Sequence, residues 1–238
     1  MAKLFDLTKN IFLPSRHVAK PYKYYHFLNT LSRDRLDQIL LCSEEEHIFS
    51  LVPEPAGQSV LFFNDAHHRH VLKKLHSFSE ALLCYVFKGP DGRPEPAKED
   101  SLWYHIKGDL SALALKKESF DLVICPFVLN TQSVDAGLIH RISAVIKKGG
   151  RLVLALRHMQ LEHMLYNQNP SQTGAPHNSF ASYYKQLKED RLFVEDIIEG
   201  GVSKQLKPLF VTQEGSDHYY EYKDTPLTLL IRAVKLVK

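Results

Sequence analysis

The stretch Gly108-Asp109-Leu110, then Glu118-Ser119-Phe120-Asp121-Leu122-Val123-Ile124-Cys125-Pro126-Phe127-Val128-Leu129-Asn130, then Ile146-Lys147-Lys148-Gly149-Gly150-Arg151-Leu152-Val153-Leu154, decides the fold. Leu122–Cys125 and Leu152–Leu156 are continuous apolar runs, the mark of strands buried on both faces of a parallel sheet. Between them Leu138, Ile139, Ile142, Val145 and Ile146 fall on one side of a helix, which predicts a helix over 134–147 ending at Gly149-Gly150. Two buried strands joined by an amphipathic helix make a parallel crossover unit.

The same alternation extends outward. Strands are expected at 59–64, 81–88, 102–107, 121–126, 151–156, 193–198 and 226–236. A helix is expected at 69–76 and another at 180–189, the latter capped by Asn178 or Ser179 and carrying Phe180, Tyr183, Tyr184 and Leu187 on one side. This pattern predicts an α/β sandwich with helices on both faces of one sheet. Residues 1–52 read as a helical leader: Phe27, Leu28, Leu31, Leu36, Ile39 and Leu40 lie near a helical stripe. Ser43-Glu44-Glu45-Glu46 matches a capping box, which would start a separate short helix, and Pro53–Gly57 breaks the chain. The expected division is therefore a helical N-terminal lid over 1–57 and an α/β domain over 58–238.

Composition narrows the function classes. The chain has 238 residues, 44% hydrophobic and 24% charged, an ordinary globular mixture that excludes collagen-like and disordered readings. A formal charge of +3, with basic residues clustered only in pairs such as Lys73-Lys74 and Lys147-Lys148, gives no strong nucleic-acid signal. No apolar run reaches the roughly 18 residues of a membrane span. The opening residues lack the apolar core of a secretory signal. Cys42, Cys84 and Cys125 are too few and too scattered for a disulfide framework, so a cytoplasmic setting is expected.

In an open α/β sheet, ligands bind beyond the carboxyl ends of the strands. The first such loop, Asn64-Asp65-Ala66-His67-His68-Arg69-His70, has no glycine, and none occurs between Gly57 and Gly89. It cannot offer the side-chain-free approach of a dinucleotide-binding turn. His67 and His70 with Asp65 could hold a metal, but no fourth partner is visible, and an exposed helix start is the simpler reading; no metal site is expected. His158, Gln160, His163, Tyr166 and His177 follow the fifth strand and read as substrate contacts or a solvated loop. Cys125 ends a buried strand and reads as a small core residue. Tyr22, Tyr24, Tyr25, His26 and Phe27 either cover a ligand or pack on the sheet edge.

The segment 108–130 resembles the middle of a class I S-adenosylmethionine-dependent methyltransferase, and 138–154 is similar to that family's helix, glycine turn and fifth strand, with Lys148 where the family favours proline. The resemblance implies a Rossmann-like sandwich with a mostly parallel seven-stranded sheet and an antiparallel last strand. It implies S-adenosylmethionine as cofactor and a small or medium-sized acceptor. It also implies cofactor contacts at Asn64, Asp65 and Ala66 after the first strand, at Phe87 ending the second, and at Gly108 and Asp109 after the third. Pro126 and Phe127 after the fourth complete the set. Asp109 would accept the adenine amino protons or else cap the next turn; Phe127 would lie on the cofactor or in the core. His68 and His158 are the candidates for a catalytic base, needed only if the acceptor must lose a proton.

The chain departs from that family in three places. The glycine-rich turn after the first strand is replaced by Asn64-Asp65-Ala66-His67, and Val86-Phe87-Lys88-Gly89 stands where a ribose-binding acid is expected. Pro90, Pro94 and Pro96 forbid a regular helix between the second and third strands, which leaves their relative direction open. An inactive relative serving as a partner subunit or binding module is the alternative.

Overall fold

Ser32 opens the first described helix: its hydroxyl oxygen accepts a hydrogen bond from the Arg35 N–H at 3.4 Å, and α1 runs from Arg33 to Leu51. The computed structural model describes residues 31–52, 57–64, 68–78, 81–87, 104–108, 115–127, 136–168, 180–210 and 219–237. The capping box expected at Ser43 is not a helix start. The stripe of Leu36, Ile39 and Leu40 continues through Ser43 and Glu44 to Ile48 and Leu51, so one helix buries one face along its whole length. That face lies on the sheet and shares a core with it.

The elements that follow alternate as the sequence predicts. They are β1 (Ser59–Asn64), α2 (Arg69–Phe78), β2 (Ala81–Phe87), β3 (Tyr104–Gly108), β4 (Phe120–Pro126), α3 (Ala136–Val145) and β5 (Ile146–Arg157). Then come α4 (Met159–Gln168), α5 (Phe180–Glu189), β6 (Leu192–Gly200), a 3-10 segment (Lys204–Phe210), α6 (Tyr219–Tyr222) and β7 (Thr228–Lys235). The strands form a single mixed sheet in the order β3-β2-β1-β4-β5-β7-β6. β1 pairs in parallel with β2 and β4, and β4 with β5. β2 and β3, whose direction the prolyl connector leaves open, are parallel. β7 runs antiparallel to both β5 and β6. A Rossmann-like sandwich around one mixed sheet results, as the sequence leads one to expect.

Successive side chains of β1 point to opposite faces. Val60 and Phe62 join Leu122, Ile124, Val153 and Ala155 under α1 and α2. Leu61 and Phe63 join Val123, Cys125, Leu152 and Leu154 under α3 and α5. Burial on both faces explains the unbroken apolar runs, and it pushes the Cys125 thiol pKa well up, which fits a core role.

The boundary that differs most from expectation is the start of β5, which takes in Ile146 from the end of the expected helix. β5 begins at Ile146 rather than 151, because Ile146 pairs with Phe120 before the register shifts. Gly149 takes φ +77°, and a β-carbon on Gly150 would meet Ile146 Cγ2 and the Lys147 carbonyl oxygen at 2.9 Å. The Lys-Lys-Gly-Gly run is a bulge inside the strand, not a turn before it. The caps expected at Asn178 and Ser179 lie outside the described residues.

Candidate functional site

Register places the ends of four parallel strands on one rim. Asn64 pairs with Val86, Phe87 with Gly108, and Phe62 with Ile124, a register that continued would bring Asn64 beside Pro126. Gly108, a residue without a β-carbon, ends β3. The second half of the rim follows from the antiparallel strands: Arg157 pairs with Thr228, and Thr228 with Gly200. The carboxyl ends of β1 to β6 therefore face one side, as ligand binding in such sheets requires.

Of the expected cofactor positions, Asn64, Phe87, Gly108 and Pro126 sit at these strand ends. Asp65, Ala66 and Asp109 lie outside the described residues, as do His67 and His177 and the cluster around Tyr24. Phe127 is fully buried; its N–H donates to the Ala155 carbonyl and its ring lies 6.0 Å from that of Phe63. It supports the rim from the core side. Among the described residues no group of three His, Cys, Asp or Glu side chains could hold a metal ion.

The two candidate bases occupy other settings than the sequence implies. His68 is not on an exposed helix start. Its side chain is fully buried, with Nε2 2.8 Å from Glu44 Oε2, while His70 is exposed. His158 is neither a free substrate contact nor part of a solvated loop. It caps α4: its carbonyl accepts the Glu162 N–H and its Nδ1 accepts the Gln160 N–H at 3.3 Å. Its Nε2 faces Glu199 Oε1 at 3.4 Å, and a neutral ring that accepts at Nδ1 carries its proton on Nε2. With both nitrogens engaged and only 5% of the residue exposed, His158 orients the start of α4.

Burial lowers the His158 pKa below the ordinary histidine value, and the Glu199 carboxylate opposes that shift without reversing it. The unfolded chain therefore binds a proton more readily than the folded one. The stability from neutral His158 is present above about pH 6.5 and is lost as pH falls through the folded pKa, at no more than about 1.4 kcal/mol per pH unit. Thermal melts of wild type between pH 7 and pH 5, a range chosen around the ordinary histidine value near 6.5, should fall more steeply than those of His158→Gln. Parallel slopes would remove His158 as the cause.

The rim also carries residues that belong to none of the expected motifs. The Ser43 hydroxyl donates to the Gly201 carbonyl at 2.7 Å and lies 3.2 Å from the Thr228 hydroxyl. His47 Nδ1 lies 2.6 Å from the Ser43 carbonyl oxygen. A β-carbon on Gly200 would overlap the Thr228 hydroxyl and lie 2.8 Å from His47 Nδ1. The adjacent glycines at the end of β6 were the sequence signal for this close approach.

Residues 91–154 match the model of a methyltransferase domain family. No curated protein matches the chain. Among solved structures, the chain is similar to an S-adenosylmethionine-dependent methyltransferase from Mesorhizobium loti, at 16% identity and a TM-score of 0.60, covering 81% of this chain and 97% of that one. It is similar to a chain of the complex between the Haloferax volcanii Trm112 methyltransferase activator and a methyltransferase, at 16% identity and a TM-score of 0.61, covering 86% and 95%. A geranyl diphosphate methyltransferase in complex with S-adenosylmethionine aligns at 12% identity and a TM-score of 0.56, covering 82% and 85%. At such identities the likeness is one of fold. No described helix is long and apolar enough to cross a membrane.

Proposed function

We propose that this chain, which has the fold of the class I S-adenosylmethionine-dependent methyltransferases and matches a methyltransferase-domain model over residues 91–154, binds S-adenosylmethionine and methylates a small or medium-sized acceptor. The observation that carries the reading is the shared carboxyl rim of β3, β2, β1 and β4, with Gly108 opposite Phe87. In this reading Asn64, Asp65 and Ala66 meet the cofactor's amino-acid tail. Phe87 lies beside its ribose, and Gly108 and Asp109 meet the adenine. Pro126 borders the methyl group, and Phe127 backs the wall. The full family arrangement, seven strands with a reversed last one, belongs to the same reading and is supported by the pairing order.

The bound cofactor supplies an electrophilic methyl group on a sulfonium. The chain's own contribution is alignment and exclusion of water, which can account for most of such a rate enhancement. The buried, hydrogen-bonded rings of His68 and His158 fit support of the rim better than proton transfer. The division at residue 57 is also part of the proposal: the N-terminal segment covers the site, supported by the reach of α1 to the rim through Ser43 and Glu44. A cytoplasmic setting is supported by free Cys42 and Cys125. Replacing Asp109 by alanine should weaken S-adenosylhomocysteine binding by on the order of 1–3 kcal/mol, measured by calorimetric titration. Unchanged affinity would put the adenine elsewhere.

A second reading is an inactive partner subunit. The missing glycine turn and ribose acid favour it, and the likeness to a chain of the Trm112 activator complex is compatible with it. A chain that binds no cofactor yet co-elutes with a specific protein would support that reading; a monomer that captures nothing would count against it.

A further inference from the structure

Two carboxylates among the described residues are buried, Glu44 and Glu162. An ionised carboxylate loses much of its hydration on burial, so each needs a matched partner. Glu44 has His68 at 2.8 Å. Glu162, at 8% exposure, has none: among the described residues no hydrogen bond and no ion pair reaches its carboxylate. Its place in the first turn of α4 does not account for the burial. The partial positive charge of a helix start favours an acid there, but by less than the hydration that a buried acid gives up. That turn is also capped already, by the ring and carbonyl of His158.

The surroundings place this carboxylate on the rim. α4 follows β5 directly, so its first turn lies on the side where the parallel strands end. The Phe180 N–H donates to Met159 Sδ at 2.9 Å, which holds the start of α5 against the start of α4. One turn along each helix come Glu162 and Tyr183. Tyr183 is buried in the core that Phe127, Leu154 and Leu156 form beneath the ends of β4 and β5. Burial first, and the nearby Glu162 charge second, raise the Tyr183 pKa, so the phenol stays a neutral hydroxyl. That hydroxyl also has no hydrogen-bond partner among the described residues.

We infer that Glu162 and Tyr183 form a binding site for a protonated amine, and that the acceptor carries this group. An ammonium brings the positive charge that the carboxylate lacks. Its N–H groups can donate to both the carboxylate and the phenol oxygen. A neutral alcohol would leave the buried charge uncompensated. A metal ion would find too few ligands, since among the described residues no three His, Cys, Asp or Glu side chains converge. Under the proposed function Pro126 borders the methyl group, and Glu162 holds the acceptor from the β5 side. The inference rests on that reading for the acceptor and not for the amine site.

The test titrates the full chain with propylammonium and with propanol, which matches it in size and lacks the charge. NMR shifts follow binding, and thermal melts follow stability without ligand. Wild type should bind propylammonium saturably and about tenfold more tightly than propanol. Glu162→Gln should lose that preference, and Tyr183→Phe should weaken propylammonium binding about threefold. Without ligand, Glu162→Gln should melt about 2 °C above wild type, because a buried uncompensated charge is gone. Equal binding of the two probes to wild type would overturn the inference, as would equal propylammonium binding by wild type and the Gln variant. So would a lower melting temperature for Glu162→Gln, the mark of an acid that only supports its helix. Should that variant fail to fold, Tyr183→Phe decides, and unchanged propylammonium binding there overturns the site. The amino-acid end of the cofactor is a second source of the same chemistry. The dissociation constant of S-adenosylhomocysteine should therefore be equal for wild type and Glu162→Gln, and a rise of about tenfold would overturn the assignment to the acceptor. Should wild type bind no S-adenosylhomocysteine, the proposed function fails and the probe comparison still decides the amine site.

Discussion

Phe62→Ala is expected to destabilise the chain by about 4 kcal/mol, the range found when a buried aromatic is truncated in a rigid core. Phe62 is fully buried in a strand flanked on both sides, opposite Cys84 of β2 and Ile124 of β4. Its side chain belongs to the core that β1 shares with α1 and α2, and its ring rests against that of His68. Neighbouring strands cannot close over the space without breaking their ladders, so the cavity persists. Equilibrium denaturation in urea measures the loss. Phe62→Leu, which keeps most of the volume, should cost less than half as much. A loss below about 1 kcal/mol would mean that β1 is not central.

Gly201→Ala should cost about 3 kcal/mol, through backbone crowding rather than a lost contact. A β-carbon there would overlap the carbonyl oxygen of Lys223, and that oxygen already accepts the Val202 N–H at 3.1 Å. The strand end and the segment after α6 would have to separate. That would also disturb the Gly201 carbonyl to which Ser43 donates. The same denaturation experiment applies, with Gly57→Ala as comparison: that position has φ +71° but nothing within 4 Å of the added carbon. Gly201 has no positive φ to strain, so a loss there no larger than at Gly57 would contradict close approach as its cause.

What could be read in the sequence and what could not have physical reasons. The strands were legible because a strand buried on both faces leaves an unbroken apolar run, as in Leu122–Cys125 and Leu152–Leu156. Helix α5 was legible because Tyr183 and Leu187 recur at helical spacing over one buried face. The extent of α1 was misread because Ser43 and Glu44 resemble a helix start, yet they are interior residues whose polar atoms find partners far along the chain. The early start of β5 was missed because a bulge and a turn share the same glycine signature, and only pairing to Phe120 tells them apart. For the candidate site, the apolar runs placed the strand ends within a residue of Asn64, Phe87, Gly108 and Pro126, where the strands of the rim end. The Glu44–His68 and His158–Glu199 pairs join residues 24 and 41 positions apart, and no local pattern marks such pairs.

Calorimetric titration of the folded wild-type chain with S-adenosylhomocysteine tests the central claim, that a nucleoside-bearing methyl donor sits on the rim where β1 to β4 end. Saturable heat for one site, with a dissociation constant below about 1 mM, is the expected result. The absence of any heat or thermal shift at millimolar ligand, in a sample whose melt confirms it is folded, would contradict it.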